Sequence, residues 1–183
     1  VLVNSPSMNR DVKVVVVAPD VALGKKATAC PVIYLLHGYS GNAKAWIGIK
    51  PNLPQIADEK GIIFVCPDGK NSWYWDSPKD PSYRYETFVS SELVKYIDGH
   101  YKTIADRKGR AITGLSMGGH GAMWNAIRHK DTFGACGSTS GGVDIRPFPL
   151  NWEMAKQLGE FARNKKVWDE HTVINQIDKI ENG

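Results

Sequence analysis

The stretch that most limits how this chain can fold is RAITGLSMGGHGA, residues 110–122. The apolar run RAITGL at 110–115 is expected to be a strand, and 119–129 reads as a helix. Gly114, Leu115, Ser116, Met117 and Gly118 lie at the junction. A strand that becomes a helix within so few residues must turn sharply. A Cβ at either end of the turn would meet neighbouring backbone, which is the physical use of Gly114 and Gly118. The residue at the apex, Ser116, is forced into a strained conformation that lifts its Oγ clear of the strand's end. The following helix points its first N–H groups at the same spot and favours negative charge there. A glycine-rich turn with an incidental serine is the plain alternative, and the placement between strand and helix speaks against it.

The rest of the chain supplies a matching frame. Residues 12–18 (VKVVVVA), 31–36 (PVIYLL) and 62–66 (IIFVC) are β-branched and apolar and are expected to be strands. Residues 54–60 are expected to form a short helix stopped by Gly61, and 86–101 carries apolar residues at the spacing of an amphipathic helix. Residues 133–140 are small and apolar, fit for a buried strand, whereas 152–180 reads as helical. Strands alternating with helices argue for an α/β fold with a mostly parallel sheet and helices on both faces, and for a single domain over 1–183.

Composition removes several functions. The net charge of +4 comes from 23 basic and 19 acidic side chains that are scattered rather than gathered into a stripe, so no nucleic-acid partner is expected. No apolar run approaches the roughly 20 residues that span a bilayer. Cys30, Cys66 and Cys136 are widely spaced and show no metal-ligand pattern. No metal is expected, and Cys66 and Cys136 read as small buried residues, with one disulfide left open. The chain opens at Val1 rather than Met, which favours a processed, secreted or periplasmic protein.

A second motif, His37-Gly38-Tyr39-Ser40-Gly41, follows the strand at 31–36 directly. In a sheet of this kind with a serine at such a turn, an oxyanion is bound by the N–H of the residue after the serine, here Met117. A second N–H comes from the loop after an earlier strand, for which Tyr39 is the candidate. An ordinary turn is the alternative reading of HGYSG. The aromatic loop Trp73-Tyr74-Trp75 lines an acyl or alcohol pocket or packs against the sheet, with little to choose between the two. Asp68 and Asp76 are expected to brace that loop, and Glu86 and Glu92 to face solvent.

LLHGYSG, CPDGKNSWYWDSP, YETFVSSELVKYID and AITGLSMGGHGA, in this order, resemble the esterase D family of α/β-hydrolases. That family includes tributyrin-type esterases, feruloyl esterases, S-formylglutathione hydrolases and mycolyltransferase relatives. The resemblance covers about residues 12–142. It implies cleavage of a small-molecule carboxylic ester through an acyl-serine on Ser116, with backbone donors at Tyr39 and Met117 and no cofactor. The compact SWYWDSP stretch looks closer to the small-ester and carbohydrate-ester branch. An acyltransferase of the same fold and a non-catalytic binding module are the alternatives.

Such enzymes place an acid and then a histidine after the serine. His120 and His129 fall on the helix after Ser116, whereas His171 follows Asp144 and Asp169, which makes Asp144 with His171 the in-chain candidate pair. Both flank or enter sequence that reads as helical rather than as loops after strands. The triad acid and histidine are therefore expected beyond Gly183, after a strand beginning near Asn182-Gly183, with the chain truncated before them.

Overall fold

The structure, a computed structural model, describes residues 1–181. The strand expected to begin near Asn182-Gly183 lies outside the described residues. β1 (Leu2–Ser5), β2 (Arg10–Val17), β3 (Val32–Leu36), β4 (Ile63–Pro67), β5 (Arg110–Gly114) and β6 (Ala135–Cys136) form one sheet in the order β1-β2-β4-β3-β5-β6. The pairs β3–β4, β3–β5 and β5–β6 are parallel, and β1–β2 and β2–β4 are antiparallel.

The central strands are apolar without interruption because both of their faces are covered. Side chains alternate between the faces with period two. Tyr34, Leu36, Ile63, Val65 and Ile112 belong to the larger core. It is shared with α4 (Leu93–His100) and α5 (Met117–Arg128), which contribute Leu93, Ile97, Ala122 and Trp124. Leu35, Phe64 and Cys66 face the other way, against Leu53 and Ala57 of α2 (Leu53–Lys60) and Trp46 of α1 (Ala45–Ile49). Each fully buried Leu or Ile contributes about 1.5–3 kcal/mol, so the two faces together fix which way every strand is rotated. The α/β expectation, helices on both faces included, is the fold observed.

Several expectations change in detail. The helix expected over 86–101 is one continuous helical stretch ending at His100, but it runs as α3 (Tyr85–Thr87), a π-helical turn (Phe88–Glu92) and then α4. Ser90 Oγ donates to Glu86 O at 2.6 Å within the widened turn. The buried strand expected over 133–140 shrinks to the two exposed residues of β6, at the sheet's edge. Gly134 and Gly137 bound it, and a Cβ at Gly134 would lie 2.3 Å from Arg107 O. Cys136 is accordingly exposed rather than buried, while Cys30 and Cys66 are buried, and all three are free. The region 152–180 is broken helix: α6 (Met154–Leu158), α7 (Lys165–Glu170) and 3-10 turns at Phe161–Arg163 and Val173–Lys179. Gly159, at φ 83°, ends α6.

Glu86 does not face solvent. It is 7% exposed and receives Arg128 Nε at 2.6 Å, with His129 Nε2 at 3.3 Å. Glu92 is taken up by Ser5 Oγ and Ser7 N at 2.9 and 3.1 Å. Burial on its own raises the Glu86 pKa, but the hydrogen bonds and charges of His129 and Arg128 outweigh it and hold the carboxyl below its ordinary value. A depressed carboxyl pKa adds stability above the unfolded value, about 4.3 for Glu, and that stability is lost as pH falls through the folded value. Urea unfolding should therefore show a midpoint that drops on acidification below about pH 4.5. In Glu86→Gln the neutral-pH midpoint should be lower and the acid dependence shallower. An unchanged acid limb in that variant would remove Glu86 from the account.

Candidate active site

β5 runs into α5 through Ser116, as the parallel pairing to β3 dictates. At the junction the backbone of α5 lies against the end of β3. A Cβ on Gly118 would be 2.1 Å from Leu36 O, and one on Gly114 would be 2.3 Å from Gly118 C. Only glycine permits so close a crossing.

Ser116 has φ 56° and ψ −114° and is exposed. A non-glycine residue in that region costs on the order of 1–3 kcal/mol. The geometry is held by Ser116 N donating to Thr139 O at 2.8 Å and by His120 N donating to Ser116 O at 3.0 Å. Although Ser116 is the N-cap of α5, its Oγ accepts no capping hydrogen bond. That departs from the usual use of a serine there. The hydroxyl is left uncommitted at the positive end of a 12-residue helix.

Ser116 lines a cavity of about 130 Å³ with Tyr39, Trp73, Asp144, Phe148 and Trp152 among its walls. Neither Tyr39 N nor Met117 N donates a hydrogen bond to the protein among the described residues. Buried His37 fixes the loop after β3. Its Nδ1 lies 2.7 Å from Gly38 O and its Nε2 accepts from Gly69 N at 2.9 Å. Tyr74 OH donates to His37 O at 2.9 Å.

The aromatic loop divides between its two readings. Trp73 lines the cavity, whereas Tyr74 and Trp75 are wholly buried in the core. Trp73 and Tyr74 both have positive φ, 55° and 59°, and with Ser116, Ser140 and Trp152 they put much of the chain's non-glycine backbone strain at this site. Asp68 and Asp76 brace the loop as expected: Asp68 Oδ1 accepts from Lys70 N and Asp76 Oδ1 from Thr87 N, both at 2.9 Å.

The structure does not bring Asp144 and His171 together. Asp144 lines the Ser116 cavity, but its carboxylate is engaged by Arg146 Nε and Nη2 at 2.8 and 2.9 Å. His171 lies beside a different cavity, its Nδ1 2.7 Å from Val167 O and its ring stacked on Trp124. Burial lowers the His171 pKa. His120 is enclosed by Trp73 and Trp75, with ring centroids at 5.1 and 5.0 Å, and burial pushes its pKa down to about 3. No described histidine hydrogen-bonds to Ser116 Oγ. Among the described residues no group of three His, Cys, Asp or Glu side chains is placed to hold a metal ion, and no helix is long and apolar enough to cross a membrane.

Sequence reasoning passed over Phe148, Trp152 and Glu153. Trp152 and Glu153 fall in a region whose pattern reads as helix, Phe148 lies just before it, and no motif marks them.

Residues 5–181 match the family model described as "Putative esterase". The chain belongs to this esterase family. An esterase of Mycobacterium tuberculosis (Esterase Rv1288) is 32% identical over 168 residues, covering 82% of this chain and 36% of that protein. The diacylglycerol acyltransferase/mycolyltransferase Ag85A of Mycobacterium leprae is 36% identical over 152 residues, covering 78% of this chain and 43% of the relative. The chain thus spans less than half the length of these two family members. A solved ferulic acid esterase superimposes with a TM-score of 0.76 at 28% identity, covering all of this chain and 71% of that one. The family membership accords with the resemblance read from the motifs.

Proposed function

We propose that this protein cleaves small carboxylic esters through an acyl-serine intermediate on Ser116. The observation that carries the reading is the uncapped, exposed Ser116 hydroxyl at φ 56°, set over the cavity between two loops. In the first step Oγ bonds to the ester carbonyl carbon and gives up its proton. The carbonyl oxygen becomes an oxyanion, received by Met117 N–H and Tyr39 N–H. The tetrahedral species then expels the alcohol, which takes the proton. Water repeats the sequence to release the acid and restore the serine. A donor of this kind is typically worth about 2.7–4 kcal/mol of barrier, and both amides are unspent in the ground state, as such a role needs. The chemistry calls for neither metal nor cofactor. A hydroxyl needs a general base, and on this reading the triad acid and histidine follow Gly183, because the described histidines are all committed elsewhere or buried.

The cavity's size and lining favour a short acyl group. About 130 Å³ is roughly four water volumes, and Trp73, Ile145, Phe148, Trp152 and Met154 make its wall apolar. A carbohydrate-linked alcohol is in keeping with the resemblance carried by the compact SWYWDSP stretch. The acyltransferase reading is favoured by the likeness to a protein named as a diacylglycerol acyltransferase/mycolyltransferase, and on that reading a hydroxyl acceptor such as a sugar stands in place of water.

The test is pre-steady-state hydrolysis of p-nitrophenyl acetate by the full-length protein. A burst of nitrophenolate stoichiometric with enzyme, followed by slower turnover, is the expected result. Added sugar should yield a new sugar ester only if acyl transfer operates. A folded full-length protein that gives neither burst nor turnover with acetate, butyrate or feruloyl esters would leave the binding-module reading in its place.

A further inference from the structure

Trp152 and Glu153 are consecutive non-glycine residues at φ 50° and 58°. Strain of that kind persists only where surrounding contacts impose it, and here several run to the loops that frame Ser116. Trp152 O accepts from Trp73 Nε1 at 3.0 Å. Glu153 Oε2 accepts from Tyr39 OH at 3.1 Å and from Asn71 Nδ2 at 2.7 Å. Asn71 Oδ1 in turn accepts from Ser40 N at 2.8 Å, and Ser40 itself has φ 63°. One carboxylate oxygen therefore holds the side chain of Tyr39 directly and the amide of the next residue through Asn71. Among the described residues the other oxygen, Oε1, meets the ammonium of Lys156 alone, a side chain that is 72% exposed.

We propose that Glu153 is a positioning residue: through Oε2 it fixes the 39–40 backbone from both sides, so that the Tyr39 amide is held ready for the oxyanion. The inference rests on the reading of that amide as an oxyanion donor. Glu153 touches neither the ester nor Ser116. Its effect is exerted through Tyr39 and Asn71, which means that geometry at Oε2, and not the negative charge, is the requirement. A displacement of about 1 Å at a catalytic donor costs on the order of a hundredfold in rate, whereas an exposed ion pair such as that with Lys156 contributes little.

In the full-length protein, Glu153→Ala should lower kcat about ten- to a hundredfold with KM changed by less than about threefold. Glu153→Gln, which keeps an acceptor oxygen for both loop bonds, should recover kcat to within about threefold of wild type. Lys156→Met should match wild type. Tyr39→Phe should lower kcat by less than Glu153→Ala, and the double variant should be no slower than Glu153→Ala alone. Amide hydrogen exchange at 39–41 should quicken in Glu153→Ala and return in Glu153→Gln. A wild-type kcat with unchanged exchange in Glu153→Ala would overturn the proposal, as would a Glu153→Gln variant as slow as Glu153→Ala. If Glu153→Ala does not fold, the Gln and Phe variants decide on the same two readouts. Retained turnover in Ser116→Ala is a separate failure, that of the site itself.

Discussion

Ser116→Ala is expected to reduce ester turnover by the full-length protein on the order of 10⁴- to 10⁶-fold while leaving the unfolding midpoint close to wild type. The size follows from what the hydroxyl does on the proposed pathway. Without it there is no acyl-enzyme, and what remains is the small acceleration that two oriented amides give to direct attack by water. The unchanged stability follows from the local structure. Among the described residues Oγ makes no hydrogen bond and does not cap α5, so its loss breaks none of the contacts that hold this turn. The backbone bonds Ser116 N to Thr139 O and His120 N to Ser116 O survive the substitution. The strain at φ 56° is no worse for alanine than for serine. Steady-state kinetics and urea titration on the same preparation check both halves. Turnover at the wild-type rate would refute the serine's role. A collapse in stability would instead show that the hydroxyl holds structure.

The two halves of this site were unequally legible in the sequence. Gly114 and Gly118 announce the turn because a contact of 2.1–2.3 Å leaves no alternative to glycine, and a constraint so local shows up as residue identity. The strands 32–36 and 63–67 were equally plain, since burial on both faces demands unbroken apolar runs. What stayed hidden depends on partners distant in sequence. β1 is only four residues and exists through its antiparallel pairing with β2. Glu86 looks like a solvated helix position until Arg128, 42 residues later, is packed onto it. Glu153 sits in a stretch of helical composition, yet its backbone is left-handed because Tyr39 and Asn71 hold its side chain from 114 and 82 residues away. Periodicity carries no trace of such contacts. The expectation over 133–140 holds in part: Gly134 N, Gly137 N and Thr139 N donate to Arg110 O, Ile112 O and Gly114 O along β5, but regular pairing is confined to Ala135–Cys136, and the edge position leaves those two exposed.

Gly118→Ala should have the second-largest effect, and it should fall on stability as well as on rate. The added methyl would lie 2.1 Å from Leu36 O, 2.6 Å from Leu36 C and 2.7 Å from His37 O. All three are backbone atoms at the end of the central strand β3, so no rotamer change relieves the clash. Either α5 lifts from the sheet or β3 shifts away from β5, with which it pairs along five residues. Both movements open the larger core beneath Trp124 and Leu36, and a loss of about 4 kcal/mol or more is expected. That is a large part of the 5–15 kcal/mol typical of a whole domain. The same displacement parts the loop carrying Tyr39 from Met117, so any folded fraction should also be catalytically impaired. Gly48→Ala is the matched control. Gly48 lies within α1, has nothing within 4 Å of an added Cβ, and should gain up to about 1 kcal/mol from the stiffer unfolded chain. Urea midpoints of the two variants should therefore move in opposite directions. If Gly118→Ala were as stable as wild type, the crossing of α5 over β3 would have to be looser than described, and the serine would lose the support that holds it above the sheet.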